Sequence, residues 1–139
     1  HALARLCSNF QKYTSCIFTY TWSVPQTVQL GKVQEINVYR IVQEAIHNIV
    51  RHSGAEHAAV ELSVVEKNVL LSISDNGRGI HKHAKYRMSR DLSEKGKSGI
   101  GLKSMEYRAH QLGAEYRIAS SSKGTRIEIR LPLNVVPIQ

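Results

Sequence analysis

The residues able to do chemistry gather in three places. Asp75-Asn76-Gly77-Arg78-Gly79-Ile80 and Gly96-Lys97-Ser98-Gly99-Ile100-Gly101-Leu102 are glycine-rich, and both follow a helix-like segment that carries Glu44 and Asn48. Glycine recurs where a backbone must take positive φ or approach a ligand closely. The polar residues beside these glycines are of types that read an amine, a phosphate or a cation. Taken in order, the three stretches imply a nucleotide pocket in which two loops cradle the ligand and the helix offers an oxygen to a metal ion.

Such a pocket needs elements to hold it, and the apolar periodicity supplies them. Leu3, Leu6 and Phe10 fall at helical spacing, and Cys16 to Trp22 reads as a strand rich in Thr, Ile, Phe and Tyr. Pro25 and Gly31 mark a loop. From Gln34 to His52, Tyr39, Val42, Ile46, Ile49 and Val50 form one helical stripe, with Glu44, Asn48 and Arg51 on the opposite side at i, i+4 and i+7. Ser53-Gly54 stops that helix. Val60, Leu62 and Val64 alternate as a half-buried strand, a tight Lys67-Asn68 turn follows, and Val69, Leu71 and Ile73 lead to Asp75 at the next strand's end. Leu102, Met105, Ala109 and Leu112 make another amphipathic helix closed by Gly113. Tyr116 to Ser120 and Thr125 to Leu131 are strands joined by Ser121-Ser122-Lys123-Gly124. Ile127, Ile129 and Leu131 alternate with Arg126, Glu128 and Arg130, so that sheet has one wet face. The expected fold is α+β: a two-layer sandwich with a mixed, mostly antiparallel sheet covered on one face by helices.

Composition narrows the class. The chain has 139 residues and 42% hydrophobic content, which suits one domain over residues 1–139 with a real core. No stretch reaches the roughly 18 apolar residues of a membrane span, and no secretory leader is legible. The expectation is a soluble, cytoplasmic piece with no direct membrane contact. Cys7 and Cys16 suit reduced core thiols better than a disulfide framework or a zinc site. Net charge is +8, and Lys82, Lys85, Arg87, Arg90, Lys95 and Lys97 crowd between the two glycine loops against Asp91 and Glu94. That flap suits a polyphosphate. Nucleic acid is not expected, because only Tyr86 interrupts the run where stacking aromatics would be needed. His81 and His83 lack a further ligand nearby and read as solvated loop.

Two common phosphate motifs fail. Gly96-Lys97-Ser98 imitates the end of a P-loop, but the earlier glycine would fall at Asp91 and no strand leads into it. The dinucleotide fingerprint fails because the third glycine position after Gly99 and Gly101 is Ser104.

The pattern instead resembles the GHKL ATPase superfamily over nearly the whole chain. Gln43-Glu44-Ala45-Ile46-His47-Asn48 with Arg51-His52 is similar to its N box, Asp75 to Ile80 to its first glycine box, Gly96 to Leu102 to its second, and Gly124-Thr125 to its last. Within it, Tyr39 to Ala45 leading to Asn48, and Gly101-Leu102-Lys103-Ser104-Met105 ending at Leu112-Gly113, are most similar to histidine kinases of the nitrate-sensor and desaturase-regulator class. His47 and Tyr107 depart from that class, and a phenylalanine-centred box in the lid is absent.

The resemblance implies the Bergerat ATP-binding fold and the catalytic domain of a two-component sensor kinase, with ATP and Mg²⁺ as its ligands. It implies that Asp75 accepts a hydrogen bond from the exocyclic amine of adenine, helped by a water shared with Thr125. Asn48 would ligate Mg²⁺, a hard cation suited to an amide oxygen. Glu44 would have a catalytic role, ordering the metal's water shell, without being assigned as the base. Arg51, His52 and Lys97 would meet phosphate or ribose, Gly77 and Gly79 would turn the backbone under the base, and Ile80, Ser98, Gly99, Ile100, Gly101 and Leu102 would complete the ATP site. The implied partners are a separate dimerisation domain bearing the acceptor histidine and, beyond it, a response regulator, in a parent protein anchored in the inner or plasma membrane. An anti-sigma-factor-type serine kinase or a non-transferring nucleotide-binding module of the same superfamily is the alternative.

Overall fold

The longest helix shows how the sequence is divided between core and surface. Val38, Ile41, Val42, Ala45, Ile46 and Ile49 recur at three- and four-residue steps, and in the computed structural model they form the buried stripe of α2 (Lys32–Asn48) and the turn that follows it. The structure describes residues 2–79 and 97–133, and of 97–101 only the helical backbone. Tyr39 and Val50, expected in the stripe, are only partly buried and flank it. At the start of α2, Gln34 Oε1 accepts the Gly31 N–H at 2.8 Å, one half of a capping box that glycine has no side chain to reciprocate.

Before α2 come α1 (Ala2–Gln11), which buries Leu3, Leu6 and Cys7, and β1 (Ile17–Ser23). After it come β2 (His57–Val65), β3 (Asn68–Asp75), α3 (Lys97–Gln111), β4 (Glu115–Ser121) and β5 (Gly124–Pro132). The strands make one sheet in the order β1-β2-β3-β5-β4. β1 runs parallel to β2, and the other neighbours are antiparallel. The α+β sandwich expected from periodicity is therefore the observed architecture.

The core is the layer between helices and sheet. Ile41, Ile46, Met105 and Ala109 from the helices and Val60, Leu62, Leu71, Ile73 and Ile129 from the strands are all essentially inaccessible. Each large aliphatic side chain removed from water this way contributes about 1.5–3 kcal/mol. The opposite face is wet, as Arg126, Glu128 and Arg130 indicated. It carries ion pairs from Arg117 to Glu115 and from Arg126 to Glu128, both exposed and each worth under about 1 kcal/mol.

Two local details differ from expectation. The β2–β3 turn lies at Glu66-Lys67 rather than Lys67-Asn68, because Asn68 already pairs with Val65. Both turn residues take positive φ, 53° and 67°, as a right-twisted two-residue hairpin demands. The α2 helix also does not run on to His52. Ile49–Ser53 forms a wider π turn that ends at Gly54, whose φ is 64°. Helical spacing counted through that segment therefore no longer places Arg51 above Asn48 and Glu44.

Candidate functional site

β-sheet register places the site's polar groups in a row. Phe18 pairs with Ala58, Ala58 with Asp75, Asp75 with Thr125 and Thr125 with Ser120, one residue from each of the five strands in spatial order. Side chains alternate along a strand, and Ile73 and Ile127, two residues from Asp75 and Thr125, face the core. The row therefore lies on the helix-covered side, at the end of the sheet where β3 finishes. Its apolar half is Phe18 and Ala58; its polar half is Asp75, Thr125 and Ser120.

Asp75 is half-buried and held in place. Gly77 N–H donates to its Oδ1 at 2.8 Å, and the Thr125 backbone N–H also donates to the carboxylate. Burial pushes the carboxyl above the ordinary range near 3.8, and those two N–H donors pull it back part of the way. A carboxylate so placed has lone pairs to spare and little water to spend them on. Thr125 Oγ1 and Ser120 Oγ lie 3.0 Å apart. Cys16 sits beneath the same corner: burial raises its thiol pKa first, and the charge of Asp75 raises it further.

The loop after Asp75 is shaped by what surrounds it. Asn76 Oδ1 accepts the Glu56 and His57 N–H groups, both at 2.9 Å, while its own N–H donates to the His57 carbonyl at 3.1 Å. Arg78 N–H donates to the Ser53 carbonyl and Arg78 Nε to the His52 carbonyl, both at 2.9 Å. Ser53 Oγ in turn donates to the Ile49 carbonyl and accepts from the Ala55 N–H. The π turn and the first glycine loop are thus bolted together. A Cβ on Gly77 would meet Ser53, and one on Gly79, whose φ is 81°, would run into the Ser121 backbone. These two glycines are required by sterics.

The remaining candidates approach the same end. Glu44 and Asn48 are half-buried in the last turns of α2, and neither side chain has a hydrogen-bond or ion-pair partner among the described residues. His47, one residue away, turns its ring edge-on to Phe10 of α1 with centroids 6.5 Å apart, a packing role for this departure from the family pattern. Arg51 and His52 are exposed on the π turn. α3 packs beside α2 and runs against it: Arg108, near its C-terminus, reaches Asn37 in the first half of α2, and Gln111 leads through Gly113 into β4 at the far end of the sheet. The N-terminal turn of α3, holding Lys97, Ser98, Gly99, Ile100 and Gly101, is therefore directed toward the end where Asn48 and Asp75 lie. Its side chains fall outside the described residues, as do Ile80, the basic flap and the His81 and His83 pair; Leu102 is half-buried. No group of three or more potential metal-binding His, Cys, Asp or Glu side chains occurs among the described residues.

Reading the sequence missed Asn76, Ser53 and Ser120. An asparagine just past a strand is a known turn former, which was signal enough for Asn76. Ser120 becomes visible only once the two-residue turn between Ser121 and Gly124 sets the β4–β5 register.

Comparison with known proteins agrees with this geometry. The profile described as "Histidine kinase-, DNA gyrase B-, and HSP90-like ATPase" matches residues 33–135. The chain is 40% identical over 110 residues to sensor protein VraS of Staphylococcus epidermidis, covering 78% of this chain and 29% of that protein. It thus spans less than a third of the curated relatives it matches. Among solved structures, the histidine kinase domain of the blue-light activated histidine kinase from Erythrobacter litoralis superposes with a TM-score of 0.75 at 20% identity, covering 94% of this chain and 63% of that one. The Acinetobacter baumannii histidine kinase AdeS gives 0.70 at 18% identity, with 96% and 64% covered. On the profile match over residues 33–135 and the 40% identity to its relatives, the chain belongs to the histidine kinase-, DNA gyrase B- and HSP90-like ATPase family.

Proposed function

We propose that this chain is the ATP-binding catalytic domain of a sensor histidine kinase, which holds Mg-ATP while its γ-phosphoryl group passes to a histidine on a separate dimerisation domain. The observation that carries this reading is the half-buried Asp75 carboxylate, fixed by two backbone N–H groups beside Thr125 at the sheet's end. Asp75 accepts from the exocyclic amine of adenine; guanine presents a carbonyl there and would face the carboxylate oxygen to oxygen. Thr125 supports the base through a shared water. Gly77 and Gly79 let the loop pass beneath it.

Asn48 and Glu44 fit a magnesium ion: both offer hard oxygen donors, one helical turn apart, half-buried and without other partners among the described residues. Bound there, the ion would neutralise charge on the phosphates. Asn48 would hold it through its amide oxygen, and Glu44 would order the surrounding water. Arg51, His52 and Lys97 are the cationic or hydrogen-bonding groups for phosphate and ribose. The free amides at the start of α3, with Ser98, Gly99, Ile100, Gly101 and Leu102, receive the phosphate chain, and Ile80 closes the base side. The acceptor histidine belongs to the dimerisation domain, and the phosphoryl group then moves to a response regulator. The parent is anchored in the inner or plasma membrane with this domain on the cytoplasmic side, a reading in keeping with the relatives' being sensor proteins. Among the described residues no helix is long and apolar enough to cross a membrane.

Calorimetry with ATP and GTP, with and without Mg²⁺, tests the reading. ATP binds more tightly, Asp75→Asn loses roughly tenfold or more of that affinity through the missing charge-assisted bond, and Asn48→Ala loses the Mg²⁺-dependent part. Equal affinity for the two nucleotides would overturn it.

A further inference from the structure

We propose that Ser120 is a positioning residue for base selection, acting through Thr125; this rests on the reading of Asp75 given above. Ser120 closes the row that runs Asp75, Thr125, Ser120 across three neighbouring strands, and its Oγ is 3.0 Å from Thr125 Oγ1. The backbone of Thr125 is already committed, since its N–H donates to the Asp75 carboxylate. What remains adjustable is the Thr125 hydroxyl, which rotates to suit its partners.

A hydroxyl has one proton and two lone pairs. When Ser120 donates to Thr125 Oγ1, the Thr125 proton is free to point at the base or at one water beside it. When Thr125 donates to Ser120, only lone pairs remain for the base. Next to a carboxylate that accepts from a 6-amino group, the adjoining ring nitrogen of adenine is an acceptor and needs the first arrangement. Guanine carries the opposite polarity at both atoms, a carbonyl and a ring N–H. Ser120 as donor therefore sets Thr125 in the polarity that completes an adenine edge and mismatches guanine.

Ser120 also stands close to the first glycine loop. Its Oγ lies 2.9 Å from where a Cβ on Gly79 would stand, so it also walls the first glycine loop. The experiment must separate the two roles. Ser120 is exposed, so Ser120→Ala is expected to fold with an unchanged melting temperature. ATP and GTP binding to the 139-residue chain is measured by calorimetry for the wild type, Ser120→Ala, Thr125→Val and the double variant. Ser120→Ala should weaken ATP roughly three- to tenfold, the scale of one hydrogen bond, and leave GTP unchanged or slightly tighter. In the Thr125→Val background the same substitution should have no further effect, because the route through the Thr125 hydroxyl has been removed. Equal loss for both nucleotides, or the same loss in the Thr125→Val background, overturns the inference and leaves Ser120 as a wall for Gly79. If the wild type itself shows no preference for ATP, the base reading fails and takes this inference with it. If the wild-type preference survives intact in Ser120→Ala, the inference alone fails.

Discussion

The two ends of the β3–β5 ladder are built on different terms. At one end Asn68 pairs with Pro132, and β3 is reached through Glu66-Lys67, two ordinary residues at positive φ. At the other end Asp75 pairs with Thr125, and the nearby positive-φ positions are Gly54, Gly79 and Gly124. A Cβ on Gly124 would collide with the Asp75 carbonyl, while Gly113, toward the plain end, has nothing within 4 Å of a Cβ despite a φ of 68°. Glycine near the plain end thus answers only to backbone conformation. At the site end, Gly79 and Gly124 answer also to crowding, by the Ser121 and Asp75 backbones, while Gly54 on the π turn has nothing within 4 Å of a Cβ. A substitution chart of the molecule should therefore separate Gly79 and Gly124 from Gly54 and Gly113.

The sharpest way to break this contrast is a pair of alanine substitutions. Gly124→Ala should cost roughly 2–6 kcal/mol, combining backbone strain with overpacking against Asp75. Gly113→Ala should cost about 1 kcal/mol, from strain alone. Urea unfolding of the two variants decides the matter, and similar costs would erase the distinction.

Next in size is Asp75 itself. Its folded-state pKa is raised above the unfolded value of 3.8, so between the two values the folded chain holds more protons than the unfolded one. Its contribution to stability is then favourable at low pH and is lost as pH rises through the folded pKa. At neutral pH Asp75→Asn should melt higher than the wild type, and the gap should close on acidification. Adenosine affinity of the wild type should fall over the same acid range, as the acceptor is protonated. A variant that melts lower at neutral pH would show that the carboxylate supports the fold.

The smallest effect belongs to the plain end. Replacing Glu66-Lys67 by Asn-Gly suits the turn's two positive φ angles and should add about 1 kcal/mol in a thermal or urea melt, with ATP affinity unchanged. A loss of affinity would mean that the two ends communicate.

Much of this is legible in the sequence alone. Alternation at Val60 to Val64 and at Ile127 to Leu131 gave the strands, because a half-covered sheet imposes a period of two on whatever sequence builds it. Asp75, Gly77 and Gly79 stood out because a residue-level demand, positive φ or close approach, leaves a residue-level mark. The π turn at Ile49–Ser53 left none: its apolar positions suit an ordinary helix, and the extra residue per turn is forced by the contacts of Ser53 and Arg78 across the sheet's end. Ser120 was hidden for a related reason. One residue more or less in the Ser122-Lys123 turn would have put its hydroxyl on the other face, and only pairing fixes that parity.

The Asp75–Thr125 adjacency has a consequence for how the molecule assembles. β2 with β3 and β4 with β5 are local hairpins, but the pairing of β3 with β5 closes a loop that contains all of α3. Long-range closures of this kind are entropically costly until other contacts support them. The two halves of this corner, where we place the base, are thus strangers in the nascent chain and meet only when the central ladder zips. A nucleotide that binds across them has affinity for the finished sheet and none for its precursors, so it draws the folding equilibrium toward completion without assisting the early steps.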